Sequence, residues 1–525
     1  MFIAVTTVIL LLVTLATYNV GQLSYHRIKL QNTADAAAYS AAVAHARELN
    51  FSAYMNRGVI ANQVSVAQIV SLTGWARNLD DNYNGPLSNI ADSAANMSAL
   101  GFMWTVPANI IGPIGSGMKS ALDAAAPAAT LAVDTLINLL NGASDAYHIA
   151  MSASIGYDLI REVIEANEPD AQVSMLGEAS ILYSAAQQLG FSKTYKPSND
   201  QDGDYRMAYV TQASMDIFYK NRSLPPIWPL PFLFDPLRLF TYGPGPLLMM
   251  QFHSGGSTLK DAKGNASTHL KGYTSLDATG LFMIFCVTVP GPFFIPLPIC
   301  VPLIPPLSAF GSGAAATGQS SWAQAAGLNP FTANVNHRNG SNTASDPAAL
   351  LHFGAAHTLN PATIVPAWIQ TGKGAGSTLN SGSGIRDYRD IKGNATAATS
   401  NAASTPANRN DVAPPWILEI ERPLPSITTS NNMPNRVAGG TMRIGGSDDG
   451  QLALPPPSNT EYMRALSRSE AYFKRPTDIS TGGMRRADNK TEWGSLYSPY
   501  WQARLQPNGI AEQAASILSK SLFGL

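Results

Sequence analysis

The first 25 residues contain no Asp, Glu, Lys or Arg, and no Pro occurs between Met1 and Gly85. Phe2 to Tyr18 reads FIAVTTVILLLVTLATY, and the first full charge is Arg27. In helix these residues span about 26 Å, and Asn19 to Leu23 extend the uncharged run to the ~30 Å of a hydrocarbon core. The run continues without a stop signal into KLQNTADAAAYSAAVAHARELNFSAYMNRGVIANQVSVAQ. The pattern therefore predicts one long helix to about Leu79, ended by the turn residues Asn78 to Pro86. Asn50-Phe51-Ser52 and Gly58 are candidate kinks within it.

A cleavable secretory signal fits poorly, because no basic residue precedes the run and Ala16-Thr17-Tyr18 is a weak cleavage site. Arg27 and Lys29 follow the apolar run, which by the positive-inside rule would keep the bulk of the chain in the cytoplasm. Removal of a basic leader ahead of Met1 would resolve that conflict, and such processing is the expectation.

Ala34, Ala37, Ala38, Ala41, Ala42 and Ala46 recur at three- and four-residue spacing. A stripe of methyl-sized side chains allows another helix to approach closely. Phe2, Val5, Leu10, Leu11, Leu12 and Leu15, together with Ala34, Ala37, Ala38 and Ala41, are thus predicted to form an assembly helix.

The predicted fold class is α+β. A long N-terminal hydrophobic and Ala-rich helix (1–80) leads into a helical layer (81–194), then a loop-rich β-containing region with a short C-terminal helix (195–525). The helical layer reads as Ser116 to Leu140, broken at Pro127, then Ala143 to Ala166 and Leu176 to Leu189. Strand-like runs are Arg206 to Thr211, Leu281 to Val289, Trp416 to Ile420 and Thr441 to Ile444. Two Pro-interrupted apolar tracts, Leu224 to Phe240 and Val289 to Leu307, are barred from being spanning helices. They read as extended strips that need covering, by each other or by a neighbouring subunit. Gly509 to Phe523 has amphipathic helical spacing.

Charged residues make up 13% of the 525, against ~25% in a typical chain. The formal net charge of -1 excludes an electrostatic case for nucleic acid or an anionic membrane surface. HExxH, GxSxG, GxxxxGK[ST] and CxxC motifs are absent. The eight histidines are scattered, so no enzyme activity is expected. Asp200, Asp202 and Asp204 alternate in one turn and form a calcium candidate, with a plain Asx-rich surface turn as the alternative. Cys286 and Cys300 would close a disulfide loop in an oxidising compartment, or else stay as two buried thiols. Beyond calcium, no cofactor is indicated.

LQNTADAAAYSAA (Leu30 to Ala42) and ARELNFSAYMNRGVIANQVSVAQ (Ala46 to Gln68), running out of an N-terminal apolar helix, resemble the start of TadE/TadG-like Flp (tight-adherence) pilus assembly proteins. EAYFKRP (Glu470 to Pro476) and LYSPYWQARL (Leu496 to Leu505) resemble the closing segment of the larger TadG-like members. The resemblance implies a bacterial, membrane-inserted, pilin-like subunit whose globular part lies outside the cytoplasm and which lacks enzymatic activity. Its implied partners are copies of itself or other pilin-like subunits, with the inner membrane as its site before assembly. Pilins commonly carry a Glu five residues into the mature chain; here Val5 stands there and no acid precedes Asp35. Assembly would then rest on apolar packing. The expectation is a structural filament subunit, with a membrane-anchored assembly factor or minor tip subunit or adhesin as the alternative.

Overall fold

The computed structural model describes residues 1–84, 101–195, 207, 210–211, 213–220, 224–227, 247–261, 270–290, 296–302, 309–317, 379, 386–392, 411–427, 434–437, 440–443, 462–476, 484, 492–510 and 513–514. Helix α1 (Phe2–Asn84) runs for 83 residues, roughly 125 Å, with no break at Asn50 to Ser52 or at Gly58. Helix α2 (Gly101–Ser154) returns antiparallel along it. The pairing is marked by Phe51 on Tyr147 (ring centroids 4.4 Å apart) and by Arg77 on Asp123 (2.7 Å). The break expected at Pro127 does not occur. A helix-interior Pro costs about 3 kcal/mol. Ala126 and Ile137, buried in the same core as Val59, Val66 and Val70 of α1, supply packing that offsets it.

A π-turn (Ile155–Leu159) leads into α3 (Ile160–Asn167). Helix α4 (Met175–Phe191) is capped by Ser174, whose hydroxyl accepts from Gly177 N at 2.9 Å. Met207, Thr211 and Met215 are buried at four-residue spacing, a helical period, and the described part of the expected Arg206 to Thr211 strand is helical. A short helix, α5 (Ile217–Lys220), follows.

The described strands, β1 to β13 in chain order, form four antiparallel sheets. The first joins β1 (Gln172–Val173), β9 (Trp416–Pro423), β12 (Tyr462–Phe473) and β13 (Trp501–Gln506) in that spatial order. A second pairs β2 (Ser192–Tyr195) with β8 (Tyr388–Ile391). The third orders β3 (Leu224–Ile227), β4 (Leu247–Asp261), β5 (Leu270–Pro290) and β6 (Pro296–Pro302), and β7 (Ala309–Ala316) also pairs with β5. The fourth is the hairpin of β10 (Pro434–Val437) and β11 (Gly440–Arg443). The two Pro-rich tracts contribute β3 and β6. These lie on opposite sides of β4 and β5, so their described parts do not pair; edge positions spare Pro from donating to a ladder.

Both principal sheets are built on α1. The first covers its proximal part. Gln31 Nε2 donates to Leu466 O (3.1 Å), Asn50 exchanges two bonds with the backbone of Trp501 (2.9 Å each), and Asn56 Nδ2 donates to Leu496 O (2.6 Å). The third covers its distal part, where Tyr273 OH donates to Gln63 Oε1 (3.2 Å) and Asn78 Nδ2 to Asp277 O (3.2 Å). The two ends of the chain that carry the family resemblance, Leu30 to Gln68 and Glu470 to Leu505, are therefore in direct contact.

Helix α4 meets β9 so closely that a Cβ on Gly177 would lie 2.1 Å from Glu419 O. Gly177→Ala is expected to destabilise the folded protein by about 1–3 kcal/mol. Gly142→Ala, with nothing within 4 Å of the added methyl, should stabilise it by ~0.5–1 kcal/mol. Thermal midpoints of the two variants in one detergent should straddle the parent, and a Gly177→Ala midpoint at or above it would refute the close approach.

Candidate functional site: the exposed helix and its charged collar

Phe2 is 82% and Leu10 67% exposed, and Val5, Leu11 and Leu12 are exposed as well, while Leu15 is half-buried. Only 6% of the most apolar window of α1 is buried. The hydroxyls within this stretch are satisfied by the helix itself. Thr7 donates to Ile3 O (2.7 Å), Thr14 to Leu10 O (2.8 Å) and Thr17 to Val13 O (2.8 Å). A helix that is apolar all round and holds its own polar groups is suited to hydrocarbon. Asn19 is buried (7% exposed), Leu15 and Gln22 are half-buried, and Leu30 is the first fully buried apolar residue, so the apolar side chains left largely open span about one bilayer crossing.

Where this segment meets the globular part, charges gather. Lys29 Nζ lies 2.7 Å from Glu168 Oε2, and Arg422 pairs with Glu168 and, at 2.7 Å, with Asp170. Arg422 also donates to His26 Nδ1 at 2.9 Å and to Ser426 Oγ at 2.8 Å. Burial and then the Arg422 guanidinium hold the His26 pKa below the usual imidazole value, which keeps Nδ1 free to accept. Glu168 and Arg422 are almost fully buried, so this collar of His26, Lys29, Glu168, Asp170 and Arg422 ties α1 to the loop after α3 and to β9.

The two halves of the predicted assembly helix have different fates. Ala34, Ala37, Ala38 and Ala41 are fully buried, in one core with Ile160, Ile164, Trp416, Leu418 and Ile420. Their small side chains bring the α1 backbone against β12, where Ser469 Oγ donates to Ala38 O at 2.5 Å. The stripe does serve close approach, as its spacing predicts, but the partner is this chain's own sheet. It is closed to another subunit.

A buried polar node escapes sequence reasoning. His45 and Glu48, one turn apart on α1, face His148 on α2. Glu48 Oε1 accepts from His148 Nδ1 (3.0 Å) and Ser52 Oγ (3.3 Å), and Ser144 and Ser52 hydroxyls are 3.2 Å apart. Its signal in the sequence is an HxxE set into an otherwise small and apolar helix face. Cys286 and Cys300 are direct cross-strand partners in the β5–β6 register. Asp200, Asp202 and Asp204 lie outside the described residues.

Residues 1–44 match the Flp pilus-assembly TadE/G-like family model. The match takes in the exposed helix, two collar residues (His26 and Lys29) and the first part of the buried Ala face. No curated protein and no solved structure matches the chain. The TadE/G-like segment is thus half exposed and half built into the core.

Glu168→Ala would leave Arg422 buried with Asp170 as its acid partner. It is expected to cost about 3 kcal/mol, read as a shift in the chemical-denaturation midpoint. The double variant with Arg422→Met should recover most of that loss. Equal, additive losses in the two single variants would show that the collar does not act as a unit.

Proposed function

We propose that the protein is a membrane-anchored component of an Flp-type pilus assembly, present in few copies, with residues 2–25 crossing the inner membrane. The collar then sits at the membrane surface and the globular part faces away from the cytoplasm. The observation that carries this reading is the uncovered length of α1. Its apolar side chains are largely open over about one bilayer length, with Asn19 buried among them, and the same helix is enclosed by its own sheets beyond. A filament core bundled through the Ala stripe would need that stripe free. A filament subunit stands as the second reading, favoured by the largely exposed residues 2–13, which copies of the chain could cover instead of lipid. In both readings the role is structural rather than catalytic and the partners are pilin-like subunits.

Leu11→Arg puts a charge near the middle of the apolar run, at a cost of about 2.5–3.5 kcal/mol for insertion. It should shift the protein out of the carbonate-resistant membrane fraction and abolish pili. Sheared surface material analysed by quantitative mass spectrometry separates the two readings. A trace amount relative to the main pilin supports the anchor, and dominance of this chain overturns it in favour of the filament.

An extracytoplasmic globular part is also open to a thiol test. Opposed positions on antiparallel strands bring cysteines within bonding range, and an oxidising compartment would join Cys286 to Cys300. In intact cells lysed under acid, alkylation should label neither cysteine until reductant is added. Labelling of both without reductant would count against that compartment.

A further inference from the structure

The His45–Glu48–His148 node takes no part in anchoring, and its chemistry is the same whether the chain is an anchor or a filament subunit. All three residues are at most 2% exposed. Glu48 Oε2, both ring nitrogens of His45 and Nε2 of His148 make no hydrogen bond. Four unbonded polar atoms in one buried seam leave the contact between α1 and α2 sensitive to any change in charge.

The surroundings fix which charges matter. From α1 the group facing His45 is Glu48, and from α2 it is His148; these are the two charged groups that act on His45. Asp145, one turn before His148, is already engaged by Arg389 (2.7 Å) and Thr194 (2.8 Å). Asp390 of β8 accepts from the amides of Ile391 and Leu496. From α4 comes the uncharged ring of Phe191, 6.5 Å from His45, itself backed by Trp501 of β13 at 5.9 Å. Among the described residues, no further carboxylate acts on His45 to compensate a second cation.

We propose that this node is an acid-operated latch, holding α2 and the end of α4 on the spine helix at neutral pH and releasing them as the surroundings acidify. Burial pushes the His45 pKa down to about 4; Glu48 works against that push and His148 adds to it. An opened seam returns the imidazole to water, where its ordinary value is ~6.5. Between these limits the open form binds more protons than the closed one. Falling pH therefore favours opening, and stability returns as pH rises through the same window.

Hydrogen exchange on the full chain in nanodiscs, at pH 7.5 and 4.5 and corrected for intrinsic rates, tests this. Amides of residues 140–152 should lose protection on the order of 100-fold on acidification. Those of β9, β12 and β13 should lose far less. His45→Gln should flatten the pH dependence at residues 140–152 while leaving the sheet unchanged, and His45→Asn serves as a second variant that lacks the imidazole. Uniform loss across all elements, loss that begins at the collar, or an unchanged pH dependence in either variant would overturn the latch. If neither variant folds, the wild-type comparison between α2 and the sheet decides alone.

Discussion

The closeness of an all-alanine helix face to a β-sheet is the constraint on which the rest of the molecule depends. Ala34, Ala37, Ala38 and Ala41 offer so little bulk that β12 reaches the helix backbone and bonds to it through Ser469. Larger side chains would hold the sheet off and remove the amide bridges from Gln31 and Asn50 to β12 and β13 and from Asn56 to the turn at Leu496. Those bridges explain why residues more than 400 positions apart form one core. They also explain why the spine carries amides at these places: each satisfies a backbone carbonyl of the C-terminal region that packs on the helix.

From that contact comes the division of the N-terminal helix into a free and an enclosed part. Upstream of the collar the apolar side chains are mostly exposed, with Leu15 half-buried, so most of them are left for lipid or for another subunit. Downstream, polar residues that could interrupt the packing are recruited into it. The helix is continuous across the boundary, and the collar pins it on the side where it would otherwise pivot. Displacement of the buried segment would be felt directly by β9 and β12.

Part of this is legible in the sequence, and the rest is hidden for definable reasons. The apolar start, the length of α1 and the α+β class follow from local composition and periodicity. Trp416 to Ile420 and most of Thr441 to Ile444 lie in strands for the same reason. The partner of the Ala stripe is not legible, because small residues report that something comes close and say nothing about what. Met207, Val210 and Thr211 are helical although they read as part of a strand, because the segment sits in a β-rich, Gly-punctuated neighbourhood. Pro127 looks like a break because local rules omit the packing against α1 that overrides it. The collar joins His26 to Glu168 and Arg422, and no pattern within one segment could announce such a cluster.

The collar also bears on topology. Arg27 and Lys29, read alone, are a cytoplasm-retaining signal on the wrong side of the apolar run. In the folded chain the Lys29 charge is met by Glu168, and its neighbour on the cluster, Arg422, is met by Glu168 and Asp170. Lys29 and Arg422 are thus matched by Glu168 and Asp170, while Arg27 stays exposed beside them. The orienting rule acts on the nascent segment, before the globular part folds, so this neutralisation cannot set the orientation. It does remove part of the objection, since once the fold has formed the Lys29 charge is compensated within the chain and Arg27 is the cation that stays exposed.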